Sequence, residues 1–379
     1  MARAASDGGP VAPRILAACS PGEVRVAALD GETLLDVAIH RPGAPDGVGD
    51  LHRGRVAAKM PALAGSFVRL ADADGFLPDS EGGAGASEGT VLGVRVTRAA
   101  QGGKGPRLTA RLSEAETALI GSGPPALLRR GPHAAARLAA LYPDAEILVD
   151  DSPLFVALKP AVGARLKLVP RAFDEATEAE FAALAEPVHD LPGGARMSIH
   201  PTPALTAIDV DLGAGTAARG SKTRLHEGAN RAAIPEIARQ IRLRNLAGPI
   251  LVDLAGLSAK RRAALGPAFT EALAADPLRP RFLGFSALGL AEILRPRVHP
   301  PLHEILSGPH AAGLAALRKL AAEIAANPAR PPALAAAPAV VAVLEADTAA
   351  LTDLARRAGR PLIPRPDPTL APLGWRIVE

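Results

Sequence analysis

The chain has 379 residues and a formal net charge of +4, with 37 Gly, 37 Pro, a single cysteine (Cys19) and only 3% aromatic residues. The apolar fraction of 48% is that of an ordinary globular protein, which argues against long disorder, and the length suggests two or three compact units. One cysteine excludes a disulfide framework and a Cys-rich zinc site within one chain; no apolar run is long enough to span a membrane, and the N-terminus has no apolar signal-peptide core, so a soluble cytoplasmic protein is expected.

Residues 1–12 read as a disordered lead-in. From 14 to 41 apolar residues alternate on either side of Asp30-Gly31, the pattern of strands joined by a hairpin turn, and 42–50 is a Gly/Pro/Asp linker. Between Leu51 and Leu112 five short strand candidates recur, at 54–57, 65–70, 75–78, 91–98 and 107–112, which suggests a small barrel. Residues 113–145 read as helical, opening on the capping box Ser113-x-x-Glu116. A strand is expected at 145–150, a helix at 174–186, and buried-type strands at 204–212 and 248–254. Between the last two lies a helix of about 230–246, with Ile234, Ile237, Ala238 and Ile241 as its apolar stripe and Pro235 as a first-turn residue or kink, so this stretch is a βαβ unit. Beyond 307 the pattern predicts helices at 311–326 and 347–358, a hinge at 328–332 and a strand at 340–344. The fold class is α/β, multidomain.

Asp209 and Asp253 each stand near the C-terminal end of one of the two apolar strands, where functional groups gather in open α/β sheets. If the strands are neighbours the carboxylates converge, and two carboxylates plus waters suit Mg²⁺; as lone strand-end or capping residues they carry no chemistry. Asp211 shares the strand face of Asp209 and is placed to orient a metal-bound water. Around Asp253, residues 219–262 hold ten basic groups (Arg219, Lys222, Arg224, Arg231, Arg239, Arg242, Arg244, Lys260, Arg261 and Arg262) against Glu227, Glu236 and Asp253, a local balance of +7. That is either the field of a polyanion site or a solvated helix face. In the barrel, Phe67 and Phe76 are two of eight Phe in the chain. They are either base-stacking platforms or core residues. Lys104 lies in a Gly-rich turn from which an ammonium reaches a phosphate.

Several stretches together resemble the ribonuclease E/G family of bacterial endoribonucleases. They are Arg-Ile-Leu-Ala-Ala (14–18) with the segment 23–36, His-Arg-Gly-Arg-Val (52–56), Ser-Phe-Val (66–68), Gly-Phe-Leu-Pro (75–78), 191–199 with 204–211, and 285–297. The most specific is 230–248, Asn-Arg-Ala-Ala-Ile-Pro-Glu-Ile-Ala-Arg-Gln-Ile-Arg-Leu-Arg-Asn-Leu-Ala-Gly, and within it Glu-Ile-Ala-Arg-Gln-Ile-Arg-Leu-Arg (236–244) is hard to explain by chance. The resemblance implies an RNase H-like subdomain (13–48 and 145–195) carrying an inserted S1-type OB-fold domain (49–112), a reduced remnant of the 5′-sensor region (113–144), a DNase I-like catalytic subdomain (196–304) and a small C-terminal domain (305–379). It implies Mg²⁺ on Asp209 and Asp253, with Asp211 standing where the family has an orienting Asn. Phe67, Phe76 and Lys104 match the family's RNA-contacting positions, and Arg239, Arg242 and Arg244 are expected to assist with phosphates. The expected activity is Mg²⁺-dependent cleavage of single-stranded RNA to 5′-phosphate and 3′-hydroxyl ends, in RNA processing or decay, with no DNA partner. The rival reading is an RNA-binding homologue without catalysis, and a weaker one is a scaffold associated with ribosomes or degradation machinery.

Three departures from the family pattern stand out. No Gly-x-x-Val-Arg-Thr-Ala sensor loop is present, so stimulation by a 5′-monophosphate is not expected. The Cys-Pro-x-Cys zinc link expected soon after Leu302 is absent, so neither structural zinc nor a zinc-linked dimer is expected, and the oligomeric state is left open. His299, His303 and His310, which lie there, read as surface histidines. Gly256 stands where the family has an Asp three residues beyond its second metal ligand.

Overall fold

The computed structural model describes residues 13–212, 222–328 and 332–378, without the side chains of 222–225. The lead-in 1–12 and most of the expected hinge lie outside the described residues. The chain opens as an antiparallel meander of β1 (Arg14–Ser20), β2 (Glu23–Asp30) and β3 (Thr33–His40). The β2–β3 turn is the two-residue loop Gly31-Glu32, entered from Asp30, and Gly31 takes the positive φ (59°) such a turn demands.

The chain then builds the barrel from β4 (Leu51–Met60), β5 (Gly65–Arg69), β6 (Asp74–Pro78), β7 (Val91–Arg98) and β8 (Arg107–Thr109). Neighbour pairings run β4-β5-β6-β8-β7 and back to β4, so the sheet closes on itself. Inside are Val56, Val68, Leu70, Leu77, Val94, Val96 and Leu108. The bore is narrow enough that a Cβ on Gly54 would stand 2.5 Å from Val68, which accounts for glycine inside a strand there.

The expected helix over 113–145 is not continuous. The capping box forms, with Ser113 Oγ accepting from Glu116 N (3.3 Å) and the Glu116 carboxylate accepting from Ser113 N (3.1 Å), but α1 (Glu114–Thr117) ends within a turn. Gly121-Ser122-Gly123-Pro124-Pro125 breaks the helix, and β9 (Ala126–Arg129) pairs antiparallel with β4 before α2 (Ala134–Leu141) begins. Glu116 receives Arg95 from β7 (2.7 Å) and Arg129 from β9 (2.8 Å), so it pins this segment to the barrel.

β10 (Glu146–Val149), α3 (Ser152–Val162), β11 (Leu166–Leu168) and α4 (Glu175–Ala183) follow, the two helices capped by Asp151 and Asp174. β10 joins β1 in parallel and β11 joins β10, completing a mixed sheet of order β11-β10-β1-β2-β3. Its two faces are covered by separate cores. One contains Leu138 and Leu158 of α2 and α3; the other contains Phe173, Phe181 and, from further along the chain, Leu243.

The second six-stranded sheet comprises β12 (Val188–Asp190), β13 (Arg196–Pro201), β14 (Thr206–Asp211), then after α5 (Lys222–Leu243) β15 (Gly248–Asp253), and after α6 (Ala259–Ala263) and α7 (Gly266–Leu273) β16 (Arg281–Phe285) and β17 (Ala291–Arg295). The order is β12-β13-β14-β15-β17-β16, and β14–β15 is its parallel pair, the expected βαβ unit. α5 starts eight residues earlier than expected and runs through Pro235, which neither begins nor ends it. Pro235 is exposed, while Ile234, Ile237 and Ile241 are fully buried against the sheet, and that burial offsets the missing N–H.

The remaining body has α8 (Leu302–Ile305), α9 (Gly308–Ala326), β18 (Ala333–Ala336), α10 (Pro338–Ala346), α11 (Thr348–Ala358), β19 (Arg365–Pro366) and β20 (Trp375–Val378), with sheet order β19-β18-β20. The expected strand at 340–344 lies inside α10. Pro338 starts the helix, and Val340, Val341 and Leu344 face Leu314, Leu317 and Leu320 of α9. A five-residue apolar run carries no period that distinguishes strand from buried helix. Among the described residues no helix is long and apolar enough to cross a membrane.

Candidate active site and nucleic-acid interface

The register of the parallel pair brings the two strand-end aspartates together. Ala207 lies opposite Leu251, Ile208 opposite Val252 and Asp209 opposite Asp253. Ile208, Val210, Ile250 and Val252 are buried beneath α5, so strand alternation turns Asp209, Asp211 and Asp253 to the open face, about 4.8 Å of strand spacing separating the pair. Asp253 keeps 53% of its side-chain surface exposed. Across β13 the partner of Asp209 is Ser198, whose hydroxyl lies 3.0 Å from His200 Nε2, and the partner of Asp211 is Arg196.

The loop after Asp253 is held from two sides. Asn230 of α5, fully buried, donates through Nδ2 to Ala255 O and to His226 O, both at 2.8 Å. Arg262 donates to Gly289 O (2.7 Å) and Leu254 O (3.3 Å) and comes within 3.8 Å of Asp253 Oδ1. Gly256 has φ +52°, and a Cβ there would lie 2.5 Å from His226 Nδ1, so the backbone path and the imidazole together exclude the family's Asp at this point. Asn230 opens the family-like stretch 230–248, but its hold on this loop is not among the sequence expectations. Its signal was a poor helix former in mid-helix, where an amide competes for backbone groups.

Among the described residues no group of three His, Cys, Asp or Glu is placed to hold a metal. The open pair Asp209–Asp253 fits Mg²⁺ in the mode that uses one or two carboxylates and leaves remaining positions to water and phosphate oxygens.

On the barrel, Phe67 of β5 and Phe76 of β6 are register partners with ring centroids 5.7 Å apart in an edge-to-face arrangement (68°). The core is filled by Val68 and Leu77 instead; Phe67 is 37% exposed, and the rings stand on the outer surface. Lys104 is exposed at the end of a tight turn in which Gly102 and Gly103 both have positive φ.

Arg239, Arg242 and Arg244, in and just after α5, are committed elsewhere. Arg244 is buried, and its guanidinium donates to Gln240 Oε1 (2.9 Å), Leu184 O (3.0 Å), Glu186 O and Ala183 O (3.4 Å). Arg239 forms a two-point pair with Glu236 (2.7 and 2.9 Å) and donates to Leu34 O (2.9 Å); Arg242 donates to Ala275 O (3.0 Å) and Leu35 O. These three side chains tie α5 to β3, to the end of α4 and to the segment after α7. Of the three expected phosphate contacts, Arg244 is the least open, being buried among the backbone carbonyls it serves, while Arg239 and Arg242 are half-buried. Within the +7 balance, Glu227, already counted among its acids, is paired with Arg261 (2.7 Å). Arg219 lies outside the described residues, as do the side chains of Lys222 and Arg224.

Two of the three expected surface histidines are partnered. His299 Nδ1 lies 2.6 Å from Asp46 Oδ2, and His310 Nε2 lies 2.9 Å from Asp347 Oδ2. Burial pushes the Asp46 carboxyl up, but the His299 contact outweighs it and holds the group below the usual range.

Residues 154–298 match the family model described as the ribonuclease E/G family. The chain is 41% identical over 122 residues to ribonuclease E of Nostoc sp. (32% of this chain, 18% of that protein). It is 38% identical over 125 residues to ribonuclease E of Synechocystis sp. (33% and 18%) and 34% identical over 131 residues to ribonuclease G of Escherichia coli K12 (34% and 26%). The matched stretches thus span about a fifth to a quarter of the length of these relatives.

Proposed function

Because residues 154–298 belong to the ribonuclease E/G family, we propose that this chain is an Mg²⁺-dependent endoribonuclease acting on single-stranded RNA. The observation that carries the reading is the register of Asp209 with Asp253 on an open sheet face. These two carboxylates hold the metal, which when bound supplies an acidic centre for water activation and charge stabilisation at the scissile phosphate. Asp211, two residues along the same face, orients the attacking water. Asn230 and Arg262 fix the loop that follows Asp253 and so set the carboxylate's position. Phe67 and Phe76 stack bases, worth roughly 1–3 kcal/mol each, and Lys104 reaches a backbone phosphate. The products carry 5′-phosphate and 3′-hydroxyl ends.

The sheet order β11-β10-β1-β2-β3 supports an RNase H-like subdomain over 13–48 and 145–195, and the closed barrel supports an S1-type insertion over 49–112. On this reading 113–144 is the reduced remnant of a 5′-sensor region, 196–304 the catalytic subdomain and 305–379 a small C-terminal domain.

The test is cleavage of an AU-rich single-stranded oligonucleotide in Mg²⁺. Asp253→Asn and Asp209→Asn are expected to abolish it; unchanged cleavage overturns the mechanism. Wild-type protein that binds the oligonucleotide but never cleaves it supports the non-catalytic homologue instead. Matched 5′-phosphate and 5′-hydroxyl substrates are expected to be cut equally, in keeping with the missing sensor loop.

A further inference from the structure

The row that begins with the two phenylalanines does not stop there. Phe67 pairs with Phe76 across β5 and β6, Phe76 with Arg107 across β6 and β8, and Arg107 with Arg98 across β8 and β7. Leu108 is a core residue, so its neighbour Arg107 points outward on the same surface as the rings. The β7–β8 register shifts between Val96 and Arg98, and an irregularity of this kind re-aims the side chains beside it. The row then leaves the barrel: Ala99 N donates to Val298 O (2.8 Å), which sets Arg98 beside Arg297 of the second sheet's body. The Arg297 guanidinium lies over Gly248, at the start of the strand that ends in Asp253.

Several sheltered arginines in the chain are held by a carboxylate, and Arg137, which no described residue gives an ion pair or hydrogen bond either, has the acids Asp46 and Asp36 as its charged neighbours. Arg295 has Asp276 (2.6 Å), Arg25 has Glu178 (2.6 Å) and Arg41 has Glu23 (2.9 Å). Arg98, Arg107 and Arg297 are each half-buried, and no described residue gives any of their side chains an ion pair or a hydrogen bond; Arg98 Nε is buried without an acceptor. Burial, and then the charges of Arg107 and Arg297, lower the pKa of Arg98. Sheltered cations without a counter-charge are costly, and an anion that brings several acceptor oxygens removes the cost.

We propose that Arg98, Arg107 and Arg297 form a phosphate-binding station for the backbone of a single-stranded polynucleotide whose bases stack on Phe67 and Phe76. The station rests on the reading of this chain as an RNA-acting protein and adds to it the route of the strand. That route runs off the barrel at the Ala99–Val298 junction and along the second sheet. Gly248 and Asp253 are the two ends of β15, so roughly 17 Å separates the station from the acid pair, and a substrate must span that length to engage both.

The test is fluorescence anisotropy of an end-labelled RNA of about 12 nucleotides, without Mg²⁺, over a range of salt concentrations. The Arg107→Gln/Arg297→Gln double variant is expected to bind roughly tenfold more weakly at moderate salt, and its slope of log K against log salt is expected to shrink by about 1.4, or about 0.7 for each phosphate left without its arginine. Phe67→Ala is expected to weaken binding with its slope unchanged, and paired Arg→Lys replacements to restore the slope. If the double variant does not fold, Arg107→Gln alone carries the test with about half the change. A wild-type slope in a folded variant overturns the station. Cleavage by the wild type in Mg²⁺, measured on the same preparation, separates the two levels: a normal slope in the variant with wild-type cleavage intact removes only the station, whereas wild-type protein that neither binds nor cleaves RNA removes the reading beneath it.

Discussion

Arg239, Arg242 and Arg244, in and just after α5, and Arg98, Arg107 and Arg297 at the barrel junction are two groups of three like cations put to opposite uses. On the helix, carbonyls and carboxylates accept from every guanidinium, and the arginines act as struts between α5 and its neighbours. At the junction no described acceptor is offered. Along the sequence the helix group is the conspicuous one, because its members stand close together beside Asp253. Density of charge in sequence is therefore a poor guide to a polyanion site; what matters is which donors the fold leaves unspent.

The contrast is most easily broken at Arg244. Arg244→Met removes the donor to the buried Leu184 carbonyl and to the more open Glu186 and Ala183 carbonyls and is expected to cost about 2 kcal/mol in urea denaturation, with RNA affinity per folded molecule unchanged. Loss of affinity at wild-type stability would reverse its assignment. Next is Glu236→Gln, which removes the charge and leaves one acceptor oxygen for Arg239, His189 and Gln240, at about 2 kcal/mol near neutral pH. Burial pushes the Glu236 carboxyl up, but those three contacts prevail and hold it at about 2 against an ordinary 4.5. Its contribution is thus fully present above pH 4.5 and lost as pH falls through 2, so the wild-type advantage must shrink across that window.

Asp36 sharpens the picture around Arg242. Burial raises its carboxyl to about 6, with the charge of Arg242 offsetting part of the rise. The native state then holds a proton that the unfolded state has released, so stability falls as pH rises from about 4 to beyond 6. Asp36→Asn is expected to stabilise by about 1 kcal/mol at pH 8 and by little at pH 4, read as melting temperature against pH. The smallest effect on stability belongs to the junction: Arg107→Gln is expected to change it by less than about 0.5 kcal/mol while weakening RNA binding. A large loss of stability there would make Arg107 a strut like those on α5.

Much of this architecture was legible residue by residue. The Asp30-Gly31 turn, the Ser113–Glu116 capping box, the five barrel strands and the two apolar strands ending in aspartate all follow from local rules of backbone conformation and alternation. The misreadings share a cause. Apolar Val340–Leu344 is a helix because α9 offers a helical groove, and α5 starts well before Pro235, against the first-turn alternative, because three isoleucines are buried around it. In both places tertiary burial outweighs a local preference.

The sequence by itself determined which chemistry was available: two strand-end carboxylates, two barrel aromatics, and more cation than its acids can neutralise. Tertiary structure decided which of these groups meet and which are already engaged. Asp209 faces Asp253 through a parallel register set by packing beneath α5, and Arg244 is consumed by carbonyls some sixty residues away. Arg98 reaches Arg297 through one hydrogen bond across two bodies. Hydrogen bonds and ion pairs act over a few ångströms in space whatever their separation in the chain, so the partners of a polar side chain are a property of the folded molecule.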